Sequence, residues 1–332
     1  MLRTKRFQNR ITTGRFTLPT AILITTLCWL LTSLLQSASP AIQSPYALEQ
    51  VIGMHINLAP WVDSLCSFIL YGFIGYLLVE LNNTFAIIRI RASVQTAIYF
   101  LLIAICPPLH TLSAGLIASL AFLLSVMFLF RSYQRSEAMN DLFHTFLFLG
   151  IGSLFLPHLI LFAPLFWIGA YNFQSLQPRS FFASLVGISV PYWFLFGHCY
   201  FYQQMERFYL PFQALCTFDT IGLHFGTCEW LTIGYLFLLY VVSAIHCMVA
   251  GYEDKIRTRS YLSFLILLSF CLFLYILLQS SAALHFMPLL IIGISILAAH
   301  FFVLTNSRGT NLFFITSLLT LGMILTYNLW TL

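Results

Sequence analysis

Long apolar runs alternate with short polar breaks marked by charge or proline along the whole chain, and that spacing predicts its elements. A helix crossing about 30 Å of hydrocarbon needs about 20 largely apolar residues, because its backbone must satisfy its own hydrogen bonds there. Cutting at charges and prolines gives eleven runs: 17–36, 58–80, 94–106, 111–130, 141–156, 158–172, 180–201, 229–249, 260–279, 283–304 and 310–330. The runs 94–106, 141–156 and 158–172 are short, and are expected in hairpins that turn at Pro107-Pro108 and at Pro157, shielded by neighbouring helices. The expected fold class is therefore all-α: a polytopic transmembrane helix bundle of about 11 spans, forming one domain over 1–332. A basic segment, 1–16, precedes the first span, and the longer outer loops are 37–57 and 202–228.

Composition narrows the class. Of 332 residues, 60% are hydrophobic, 17% aromatic and 8% charged, against roughly a quarter charged in a soluble domain. With a mean hydropathy of +0.90 and 34 phenylalanines, the apolar surface exceeds what one water-soluble core can hide. Aromatic content this high with so little charge also excludes low-complexity disorder. The net charge of +5 comes from scattered residues that form no phosphate-tracking stripe, so nucleic acid is not an expected partner.

Basic residues collect in short cytoplasmic loops of membrane proteins. With the N-terminus inside, 14 of the 15 Lys and Arg residues fall on inner segments, from Arg3 through Arg89, Arg131, Arg179 and Lys255 to Arg308, and Arg207 alone lies outside. Removing or adding one span scatters those charges over both faces. The expected orientation is N-terminus in, C-terminus out. Ser37-Ala38-Ser39 after the first span has a superficial look of a signal-peptidase site, but the apolar stretch is long for a cleaved leader and is read as a retained anchor.

The span middles carry Ser, Thr, Gly and some Pro but no Asp, Glu or Lys, which weakens an ion-coupled mechanism. The outer rim is richer. Glu49, His55, Asp63, His110, His158, His198, Glu206, Arg207, Asp219, His224, Glu229 and His285 all fall there on this topology. Carboxylates and imidazoles beside one guanidinium suit acid–base work on a phosphate-bearing lipid: a carboxylate takes a hydroxyl proton and an arginine holds the phosphate. The candidate catalytic residues are Glu49 or Asp63 with Arg207, and the candidate substrate-binding residues are His198, Glu206, Asp219 and His224. Met205, Phe208, Tyr209 and Phe212 recur at helical spacing opposite Gln204, Glu206, Arg207 and Gln213, so this loop is expected to lie in the interface as an amphipathic helix broken near Pro211.

Eight cysteines include no CxxC pair. Cys216 and Cys228, in an outer loop, are a candidate disulfide. The spacing of His198, Cys199, Cys216, His224 and Cys228 fits no zinc template, and no cofactor motif is present, so neither metal nor cofactor is expected. Trp61, Trp193, Trp230 and Trp330 near span ends fit an aromatic belt. Gly72 and Gly75, and Gly293 with Ser295 and Ala298, are small residues suited to close helix approach.

Leu81-Asn82-Asn83 through Arg89 and Arg91, the hairpin 94–130, Leu156-Pro157-His158, and Pro178-Arg179-Ser180-Phe181 followed by Gly187 and Pro191-Tyr192 together resemble a family of polytopic inner-membrane proteins of Bacteroidota known as a domain of unknown function. The resemblance covers about residues 17–200 and implies no activity. Paired helices around an outer polar rim are also similar, by analogy, to multi-span glycosyltransferases and glycan polymerases that use polyprenyl-phosphate sugars. Three functions stay open for a protein of a bacterial inner membrane. The first is handling of a lipid-linked or envelope substrate at the outer face, with glycan transfer as the activity. The second is a transporter or flippase with its path between hairpins 94–130 and 141–172, and the third a structural subunit of a membrane assembly. Expected partners are the bilayer, a polyprenyl-linked or lipid substrate, and other membrane proteins.

Overall fold

A computed structural model describes residues 7–12, 14–35, 59–88, 93–135, 137–218, 225–249, 251 and 254–331. The helices are α1 (Phe7–Thr12), α2 (Thr17–Leu35), α3 (Pro60–Phe85), α4 (Val94–Ala104), α5 (Ala114–Arg131), α6 (Met139–Phe155), α7 (Ala163–Asn172), α8 (Pro178–Phe201), α9 (Met205–Cys216), α10 (Thr227–Val249), α11 (Ile256–Leu278), α12 (Ala283–Leu304) and α13 (Arg308–Trp330). Short 3-10 turns, Pro107–His110, Pro157–Phe162 and Ser280–Ala282, precede α5, α7 and α12. No strand occurs among the described residues. Among the described residues eight helices, α2, α3, α5, α8 and α10 to α13, are long and apolar enough to cross a membrane. The short runs form α4, α6 and α7, which do not reach that length individually.

Helix ends follow local rules. Pro60 and Pro178 sit in the first turns of α3 and α8, where the missing N–H costs nothing because no carbonyl awaits it. Ser113 and Ser307 cap α5 and α13 by accepting from Leu116 and Thr310 amides, supplying an acceptor to otherwise unpaired donors. Helix α3 ends with Ala86 in the left-handed region (φ 50°), its N–H on the Asn82 carbonyl, while the Asn82 side chain accepts from Ile88 N at 2.9 Å.

The core is organised around α12. Every residue of that helix except Leu284 and Leu304 is buried, because α4, α5, α10 and α11 enclose it. A helix apolar on all sides belongs inside a bundle or in lipid, and here protein surrounds it. Since lipid is as apolar as leucine, close fit rather than exclusion from water holds such helices together. At Gly115 of α5 an added Cβ would collide with the backbone of His285 on α12, and at Gly187 of α8 it would lie 2.5 Å from the Phe143 carbonyl of α6.

The ends of the bundle are two separate polar layers. At one end, Gln8 of α1 donates to the Phe302 and Thr305 carbonyls at 2.7 and 3.1 Å, Tyr261 of α11 donates to Phe130 O at the end of α5, and Tyr261 stacks on Phe130 at 4.2 Å with Phe85 and Phe173 edge-on. At the other end, His110 meets Thr32 of α2, Asp63 of α3 accepts from Leu112 N, and Asn328 of α13 donates to Ile105 O at 2.6 Å.

Candidate functional site

The elbow expected on the outer side is built by a tight reversal between α8 and α9. Gln203 adopts φ 54° and the Gln204 N–H returns to the Cys199 carbonyl at 2.9 Å. The apolar stripe of α9 then folds back on α8, with Phe208 on Phe196 at 5.4 Å, Phe212 on Tyr192 at 5.5 Å, and Pro211 buried within the helix. The helix runs on through Pro211 to Cys216 instead of breaking there as expected. His198, Glu206 and Arg207 share this elbow. His198 and Glu206 are exposed, the His198 ring lies 4.7 Å from Tyr202, and Arg207 is half-buried.

Asp63 lies elsewhere on the rim. It sits in the first turn of α3 and its Oδ2 accepts from Leu112 N at 3.2 Å. Among the described residues no hydrogen bond or ion pair joins it to His198, Glu206 or Arg207. Glu49, Asp219 and His224 lie outside the described residues. Cys216 and Cys228 are free thiols. The first is exposed at the end of α9, while the Cys228 sulfur sits 3.1 Å from the Thr331 hydroxyl against the end of α13, so the two thiols of the candidate disulfide are unbonded in this structure.

Three of the histidines expected on the outer rim belong to the packing. His110 is 1% exposed, hydrogen-bonded to the Thr32 hydroxyl at 2.8 Å, and Trp29 reaches Ser67 with its indole N–H. His158 lies between Phe218 and Tyr275, and His285 is buried at the start of α12. The seam between the two hairpins is filled as well. Ser125 of α5 donates to the Thr145 carbonyl of α6 at 2.8 Å, and Phe122, Phe146 and Phe166 meet edge-to-face beside it.

The opposite end holds a constellation that the sequence reading did not single out. Cys247 Sγ, in the last turn of α10, lies 3.5 Å from His300 Nδ1 on α12. The other ring nitrogen, Nε2, lies 3.1 Å from Asp254 Oδ2, off the axis of a linear hydrogen bond. Exposure is 5% for Cys247, 0% for the His300 side chain and 2% for the Asp254 side chain. A carboxylate against Nε2 favours a proton on that nitrogen, which leaves Nδ1 as the acceptor facing the thiol. The three groups run in a line rather than around a point, and among the described residues no three or more His, Cys, Asp or Glu side chains could hold a metal. The one available signal was His300, a basic side chain near the end of the most apolar helix.

Asp141 and Arg257 lie at the same end and each has its own contacts. Asp141 is held by Arg131 Nε and Arg135 Nη1, each at 3.1 Å. Arg257 donates to the Tyr261 hydroxyl at 2.7 Å and its guanidinium lies over the Phe85 ring. The sequence matches no protein-family model and no curated protein, and the fold matches no solved structure. From composition and structure alike, the chain is an all-α protein with several helices suited to a multi-pass membrane protein.

Proposed function

We propose that the protein crosses a bacterial inner membrane eleven times, N-terminus in and C-terminus out, and handles a lipid-linked or envelope substrate at its outer face, with glycan transfer as the chemistry. The grouping of helix ends is in keeping with alternating crossings. Gln8 before the first span meets the α12–α13 connection, and the ends of α3 and α5 meet the start of α11, as an alternating eleven-crossing path requires. The short helices α4, α6 and α7 then cross with help from their 3-10 turns and the walls of their neighbours.

The observation that carries the outer-face reading is the α8–α9 elbow. An interfacial helix seated by Phe208 and Phe212 holds Arg207 at the level of lipid headgroups, where one guanidinium with few competitors can bind a phosphate bidentately. Replacing Arg207 by Ala is expected to abolish turnover of a polyprenyl-phosphate sugar in vesicles while the chain still accumulates, and Arg207→Lys to restore part of it. Unchanged turnover and unchanged envelope glycans in Arg207→Ala would remove this reading.

A second reading, a structural subunit, draws on the broad exposed aromatic face of α8, where Phe182, Trp193, Phe194 and Phe201 are all more than half exposed. Co-purification of a stoichiometric membrane partner that is lost on replacing Trp193 and Phe194 by Ala would favour it. The transport reading gains no comparable support, since its proposed path coincides with the packed seam between α5 and α6.

A further inference from the structure

We propose that Cys247, His300 and Asp254 form a thiol acylation site at the inner end of the bundle, with Cys247 accepting a long acyl chain from an activated membrane-borne donor. The inference rests on the membrane path proposed above, which makes this end the inner one, and not on the chemistry proposed for the outer face.

Three separate elements converge to make this line: the end of α10, the connection leading into α11, and the last turns of α12. Each group takes the position its chemistry needs. The carboxylate favours the imidazole proton on Nε2, the unprotonated Nδ1 faces the thiol, and the thiol is the nucleophile of the line. A cysteine that served only as a small apolar filler would need no base beside it.

Depth selects the substrate. Cys247 lies two residues before the end of α10 and His300 four before the end of α12, which at 1.5 Å per residue is about 3 and 6 Å inside the helix ends. That is the level at which lipid chains carry their carbonyl groups. The burial of Cys247 keeps water from a thioester once it forms.

In the step itself, the Cys247 thiol proton passes to His300 Nδ1 and the sulfur attacks the acyl carbonyl carbon. A carbon–sulfur bond forms as the bond from that carbon to the donor's thiol or alcohol breaks, and the leaving group takes the proton back from His300. Asp254 offsets the imidazolium charge that exists between the two transfers. No electrons are exchanged with an outside partner.

The test uses the full chain in vesicles with two donors in separate arms, an alkyne-tagged palmitoyl thioester of coenzyme A and a phospholipid carrying the same tagged chain. Tag attached through a hydroxylamine-labile bond and mapped to Cys247 by mass spectrometry is the expected result, and the arm that labels identifies the source. Cys247→Ser should remove the label, and His300→Asn and Asp254→Asn should slow labelling by about 100-fold, within the range of general acid–base contributions. Size-exclusion profiles and thermal unfolding distinguish a chemical effect from misfolding in these variants. No labile tag on Cys247 of the natural chain in either arm overturns the proposal. So does labelling at an undiminished rate in a folded His300→Asn chain.

Discussion

Trp29 lies flat on His110, with ring centroids 3.7 Å apart and planes 23° from parallel. The contact joins the end of α2 to the turn between α4 and α5, and the Thr32 hydroxyl, one turn further along α2, bonds Nδ1 at the edge of the same imidazole. Burial lowers the His110 pKa from 6.5 to about 3, with a smaller opposing effect from the Ile103 carbonyl. The folded protein therefore keeps this ring neutral while the unfolded chain protonates it below about 6.5. Stability is complete above that value and declines as pH falls toward about 3, because the unfolded state binds the extra proton. Thermal unfolding in detergent between pH 7 and 4 should fall less steeply in His110→Gln than in the natural chain, and equal slopes would disprove this.

The approach of Gly115 to His285 makes a sharper test of packing. Gly115→Ala should destabilise by about 1–3 kcal/mol, the usual scale of overpacking, because the clashing atoms are backbone and cannot rotate away. Gly234→Ala should be neutral, since nothing lies within 4 Å of the added carbon. Melting temperatures of the two variants check the contrast.

Asp141 serves two guanidiniums at once. Both arginines are more than half exposed, so water screens the pairing and the loss is smaller than for a fully buried pair. Asp141→Asn should cost about 1–2 kcal/mol by this reasoning. Arg131→Gln should cost less than Asp141→Asn, because Arg135 retains the carboxylate. Denaturation at low and high salt would show the difference shrinking as salt rises.

Asn328 donates to the Ile105 carbonyl at 2.6 Å, where the end of α4 leaves that group without a helical partner. Asn328→Leu should cost about 1–3 kcal/mol, the penalty for a buried unsatisfied acceptor. Hydrogen exchange should then rise in the 105–112 turn before the rest of the bundle.

Topology is open to direct measurement. In a background with Cys216 and Cys228 replaced by Ser, an impermeant thiol reagent added outside should label Thr331→Cys and spare Ser307→Cys. The reverse pattern would invert the proposed orientation.

Much of the architecture follows from one-dimensional information. Apolar run length, the helix-starting prolines at 60 and 178, and the breaks at Pro107 and Pro157 set where helices begin and end, because lipid forces each crossing segment to satisfy its backbone within itself. The amphipathic stripe of α9 was equally readable, since its period of 3.6 is a local property. Small residues were only half informative. Gly75 and Gly293 do meet neighbouring side chains closely, on Phe100 and Ser269, whereas Gly72 meets nothing within 4 Å. Which partners meet is a different matter. Asp63 and Arg207 share a rim by sequence yet attach to different helices, and His110, His158 and His285 turn inward. Cys247, Asp254 and His300 span more than fifty residues and are joined only where α10 and α12 cross. The sequence by itself determined the helices and their class, because the bilayer acts on each segment separately. Only tertiary packing decided which polar side chains face one another, because that depends on how helices distant along the chain are arranged around α12.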